Sequence, residues 1–144
     1  MKRQEGEKFA NKHGSNAKID ERIKDALLRE SQNNEVPCAV AFQIAEALQA
    51  TPSEVGKTAD LLEMELIKCQ LGLFGYKPDK KIVQPQAPEN TDLENVIRDS
   101  LVDGKLPCRK AWDIARARNM SKMAVSAVCE HLEIKIKPCQ LGAF

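Results

Sequence analysis

Val36-Pro37-Cys38 opens a stretch that closes at Cys69-Gln70-Leu71-Gly72-Leu73-Phe74, and the chain repeats that pattern once. Leu106-Pro107-Cys108 opens a second stretch, which closes at Cys139-Gln140-Leu141-Gly142-Ala143-Phe144. The two align without a gap at an offset of 70 residues, as between Cys38 and Cys108. Between their ends, Ala41, Ile44, Ala45, Ala47, Val55, Leu62 and Glu63 recur as Ala111, Ile114, Ala115, Ala117, Val125, Leu132 and Glu133. Large and small apolar residues held in register over that length mark the duplication of one folded unit.

Each copy is of a size at which independent stability is marginal, so the units are expected to gain from packing on each other or on a second chain. Within the 144 residues 42% are hydrophobic, 30% charged and only 4% aromatic, so aliphatic side chains must fill both cores. No apolar run is long enough to span a bilayer, and Met1–Glu7 lacks the apolar centre of a signal peptide. The expected setting is cytoplasmic, with the five cysteines reduced and no membrane partner. Net charge is +1 but unevenly spread. Residues 23–76 carry 4 basic and 8 acidic side chains, a net of −4, whereas residues 93–144 carry 9 and 6, a net of +3. A polyanion should therefore meet the second copy, or the basic N-terminus, first.

The expected organisation is a polar tail over 1–18 (with His13), a first unit over 19–76, a linker over 77–90 containing Pro78, Pro85 and Pro88, and a second unit over 91–144. In each unit a first helix is expected, apolar at Ile23, Ala26 and Leu27 or at Leu93, Val96 and Ile97. Asn33-Asn34 and Asp103-Gly104 should stop it. Pro37 and Pro107 suit the first turn of a second helix, over 37–49 and 107–118. Thr51-Pro52-Ser53-Glu54 has the form of a capping box and starts a third helix, for which Ser121 is the cap in the other copy. The segments after it, from Glu65 and from Ile134, lean toward strands or extended arms.

Helix, short strand, helix, tight turn, helix, extended arm is the order of a winged helix. The run Gln43-Ile44-Ala45-Glu46-Ala47-Leu48-Gln49-Ala50-Thr51-Pro52-Ser53-Glu54-Val55 resembles the helix-turn-helix signature of bacterial regulators. Ala45 is small where two helices cross and Val55 packs the second helix on the first, with Ala115 and Val125 in the same places. Where that family has glycine in the turn, this chain has Gln49 and Asn119, and the second copy ends at Phe144 with no room for a returning strand. The fold expected is mainly α, two tandem winged-helix-like units.

The resemblance implies DNA binding and transcriptional regulation, with the third helix of each unit in the major groove of a duplex. By that analogy Ser53, Gly56, Lys57 and Asp60 face outward in the first copy, and Lys122, Met123, Ser126, Ala127 and Glu130 in the second. Phosphate anchors would be Arg109, Lys110, Arg116, Arg118, Lys135 and Lys137. The acidic first copy is the poorer reader, since its third helix carries Glu54 and Asp60 toward phosphates, and it suits packing, dimerisation or a protein partner. The second has no arginine or glutamine on its third helix to make bidentate base contacts, so strict sequence reading is not expected of it. Two alternatives stand beside DNA binding. One is a protein-interaction adaptor that uses the units as docking surfaces. The other is a zinc or iron–sulfur sensor built on Cys38, Cys69, Cys108 and Cys139. Against the sensor, no C-x-x-C pair occurs, and buried cysteines copied with the duplication account for the pattern. With two histidines, His13 and His131, and no phosphate-cradling glycine loop, no catalytic constellation is legible. The repeated Cys-Gln-Leu-Gly-x-Phe closing segment is left over by helix-turn-helix logic. It packs on its own unit or makes a dimer contact.

Overall fold

The computed structural model describes residues 19–144; the expected 1–18 tail lies outside the described residues. The chain divides into two compact units. One is the chain up to Cys69 together with Gln140–Ala143, and the other is Gln70–Cys139 together with Phe144. The middle of each closing segment, Gln70–Phe74 and Gln140–Ala143, therefore belongs to the unit built on the other repeat. The expected division at 76 and 91 differs from this: residues 70–90 belong to the second unit.

In the first unit α1 spans Glu21–Glu30. Asp20 caps it, its carboxylate accepting from the N–H groups of Arg22 and Ile23 at 2.9 and 3.3 Å, which satisfies donors that a helix start leaves open. Ile23, Ala26 and Leu27 form its buried stripe. The chain then reverses through Asn33 and Asn34, both at positive φ (52° and 63°), while Gln32 and Glu35 exchange both backbone hydrogen bonds. Positive φ at both central residues is the mark of a type I′ turn. The asparagines thus make a hairpin corner; the helix has already ended at Glu30.

The corner delivers β1 (Glu35–Pro37), α2 (Cys38–Leu48), α3 (Pro52–Leu61) and β2 (Glu65–Ile67) in that order. Pro37 stands one place outside α2, as its N-cap, at φ −62° and ψ 143°. The expected capping box holds on both sides: Thr51 Oγ1 accepts from the Glu54 N–H at 3.1 Å, and the Glu54 carboxylate accepts from the Thr51 N–H at 2.9 Å. Ala41, Ile44, Ala45, Val55 and Ala59 are buried, and Leu48 and Leu62 half-buried. Because β1 and β2 are joined by two helices, they pair in parallel, with Val36 opposite Leu66. A hairpin wing does not occur among the described residues.

The second unit repeats the plan. Its α4 (Thr91–Asp99) is capped by Asn90 and buries Leu93 and Ile97. Asp103 and Gly104, at φ 52° and 78°, make the same corner. Then come α5 (Cys108–Ala117) and α6 (Lys122–His131), capped by Ser121. Here the strand pair shrinks to a single parallel bridge, Leu106 with Ile136.

All four inner helices end the same way. Gln49, Glu63, Asn119 and Glu133 each adopt positive φ (55°, 55°, 54° and 58°). The next residue's N–H then reaches back five places, Ala50 to Ala45, Met64 to Ala59, Met120 to Ala115 and Ile134 to Cys129, at 2.8–2.9 Å. That bond occupies a carbonyl the helix end would leave open. The turn between α2 and α3 is closed without glycine. Among the described residues no helix is long and apolar enough to cross a membrane.

Candidate interaction site on the third helix of each unit

In the first unit the site forms around a glycine in mid-helix. Gly56 lies on α3, buried, and the chain returns to it from its far end. A methyl group at Gly56 would overlap the Leu141 carbonyl oxygen and stand 2.6 Å from its carbon and 3.0 Å from its Cα. The backbone of the closing segment therefore lies directly on the helix, where only glycine leaves room. Leu141 is 1% exposed, Gly142 turns the chain at φ +79°, and on α3 Thr58, Ala59 and Asp60 are also buried. The outward, groove-reading role expected for Gly56 and Asp60 does not hold, because that face is packed. Ser53 and Lys57 are exposed.

In the second unit the corresponding helix, α6, is covered by residues 70–86. Lys122 donates from Nζ to the Gln70 side-chain oxygen at 3.3 Å and lies 4.1 Å from the centroid of the Trp112 ring, a cation–π arrangement. The Sδ and Cε atoms of Met123 lie 3.2 Å from where a Cβ on Gly72 would stand. The Gly72 carbonyl accepts from the N–H groups of Ile82 and Val83 at 2.9 and 3.1 Å, which folds the following segment back, and Val83 is buried. Farther along, the Gln86 N–H donates to the Ala127 carbonyl at 3.0 Å, and Lys81 pairs with Glu130 at 2.7 Å. What composition marked as a linker is in these residues a strap.

This bears on each residue expected to face a duplex. Lys122 and Met123 are half-buried and in contact with the strap. Ser126 is 0% exposed, its hydroxyl without a hydrogen-bond partner among the described residues, so its expected contact with a base does not hold. Ala127 is buried too, and Glu130 is engaged by Lys81. The phosphate anchors are more open. Arg109, Lys110, Lys135 and Lys137 are exposed. Arg116 pairs with Asp113 at 2.9 Å and is 82% exposed; Arg118 pairs with Asp92 at 2.8 Å, tying α5's end to α4, and is 27% exposed.

Cys38, Cys69, Cys108 and Cys129 are buried and Cys139 half-buried. Among the described residues no three histidine, cysteine, aspartate or glutamate side chains come together to hold a metal ion. Burial, and then the neighbouring Glu130 carboxylate, push the Cys129 thiol up to about 12. An unreactive, protonated thiol follows.

Sequence reasoning placed Gly56 outward, and missed the strap residues Gln70 and Val83 and the destination of the closing segments. One signal was present. A glycine inside a helical pattern costs about 1 kcal/mol against alanine, so its presence points to a close approach. Compared with protein-family models, with curated proteins and with solved structures, the chain finds no match in any of the three.

Proposed function

We propose that this chain acts through protein contacts, as an interaction adaptor whose two winged-helix-like units use the third helix to hold extended chain segments. In this reading the units keep a helix-turn-helix core, dispense with a hairpin wing, and have converted the groove-reading surface into a docking surface. The observation that carries it is the cover over both third helices: the Leu141 backbone on Gly56 in one unit, and residues 70–86 on α6 in the other. A DNA reader needs that face open.

Salt-dependent fluorescence anisotropy with mixed-sequence duplexes tests it. Expected is the absence of sequence discrimination, and any affinity lost between about 50 and 200 mM salt. Tight binding to one duplex that persists in salt and disappears on Met123→Ala would overturn the adaptor reading.

A second reading is favoured by one observation. Arg109, Lys110, Lys135 and Lys137 are exposed and in no ion pair among the described residues, which suits non-specific phosphate contact by the second unit. It predicts that replacing these four by glutamine flattens the salt dependence, while Arg118→Ala mostly loosens α4 from α5.

A further inference from the structure

We propose that the Gly56 site accepts the closing segment of a second copy of this chain, so that two molecules pair by exchanging Gln140–Ala143. The inference rests on the adaptor reading and names its partner.

Its starting point is the composition of the units. The first is completed by Gln140–Ala143 and the second begins at Gln70, so each repeat gives the middle of its closing segment to the other unit. A repeat of this design leaves its own third helix uncovered and its own Leu-Gly segment unseated. Two repeats satisfy each other, and here both lie on one chain. The chemistry of recognition does not depend on that covalent link. Gly56 recognises a backbone that approaches closer than any side chain permits, and Leu141 supplies the buried apolar contact. Gly142 supplies the positive-φ turn, in open space with nothing within 4 Å of its missing Cβ. Every one of these features is present in a second copy.

The two closing segments are held by different contacts. Gln70–Phe74 lies in mid-chain, and the strap folds back on Gly72 through Ile82 and Val83. Gln140–Ala143 lies between Cys139 and Phe144, which contact each other. Phe144 accepts a backbone hydrogen bond from Cys139 at 2.7 Å and stands edge-on to Phe74, ring centroids 5.7 Å apart. Releasing Gln140–Ala143 requires opening those contacts. Contacts made within a chain and between chains are then the same. The choice is set by concentration, because the covalent link presents the chain's own segment at an effective concentration on the order of millimolar or below. Dilute chains keep their own segment, and crowded chains exchange.

Complementation of full-length variants tests this. Leu141→Asp leaves the Gly56 site intact but spoils the segment, and Gly56→Leu spoils the site but leaves the segment intact. Sedimentation equilibrium at about 100 μM should give 16.0 kDa for each variant alone. Their 1:1 mixture should contain a species of twice that mass, at least tenfold enriched over either variant alone. A mixture no heavier than its components overturns the proposal. Should either variant lose its helical circular dichroism, the wild-type chain decides, by sedimentation from 10 μM to 1 mM. A rising twofold mass that Leu141→Ala removes supports exchange, and a constant 16.0 kDa excludes it. Neither result depends on the anisotropy titration, so a DNA-binding outcome there and a failed exchange here are told apart.

Discussion

Replacing Gly56 by alanine should have an effect of opposite sign to that in an ordinary helix. In an open helix interior the change stabilises by about 0.8–1 kcal/mol, since glycine has more backbone freedom to lose. Here the new methyl overlaps the Leu141 carbonyl oxygen, and both atoms belong to backbone, so a rotamer change cannot relieve it. Two responses are open. Either α3 and the segment shift and store the strain of an overpacked core, about 1–3 kcal/mol, or the segment detaches and Leu141 returns to water. A leucine so fully buried loses about 1.5–3 kcal/mol by detaching. Set against the helical gain, the net effect is a destabilisation of up to about 2 kcal/mol. Urea denaturation measures it, and hydrogen exchange at residues 140–143 distinguishes strain from detachment. In a chain ending at Cys139 the same substitution should instead stabilise by about 1 kcal/mol. The reasoning is refuted if Gly56→Ala in the full chain is more stable than wild type by about 1 kcal/mol, as in an open helix, while amides 140–143 stay protected.

Other expectations follow from single contacts. Lys122→Met should change the emission of Trp112, the chain's one tryptophan, and cost about 0.5–2 kcal/mol through the lost cation–π contact, read by fluorescence-detected denaturation. Gly104→Ala meets no atom within 4 Å but must hold φ +78°, so about 1–2 kcal/mol should be lost with no change in packing. Gln49→Gly should raise stability by about 0.5 kcal/mol, because the residue closes the turn between α2 and α3 at φ +55°. The Cys129 thiol, raised from 9.0 to about 12, holds its proton in the folded chain where the unfolded chain releases it. Its contribution is therefore whole below about pH 9 and declines by up to about 1.4 kcal/mol per pH unit above that. The loss continues toward pH 12, and Cys129→Ala should flatten that decline in a pH series of denaturation midpoints.

Much of this protein was decided by local chemistry and so could be read along the chain. The Thr51–Glu54 box starts α3, Ser121 starts α6, and the apolar stripe of α1 lies where the 3.6-residue period puts it. Ala45, Ala115, Val55 and Val125 are buried at the helix crossings because small and branched residues there serve contacts only a few residues apart. Duplication was equally plain, since a repeat is a property of order alone. Turn chemistry was legible in kind but not in use: Asn33-Asn34 and Asp103-Gly104 marked reversals, and only hydrogen bonds with Gln32, Glu35, Val102 and Lys105 made them hairpin corners. What tertiary structure alone decided was partnership over distance. The residue that needs Gly56 to be small is Leu141, 85 places away, and no period or propensity connects them. Val83 is buried in a stretch whose prolines and charges describe a linker, because the Gly72 carbonyl and α6 offer it a place. Periodicity identifies which face of a helix is apolar; which segment comes to lie on it depends on where the rest of the chain is free to go.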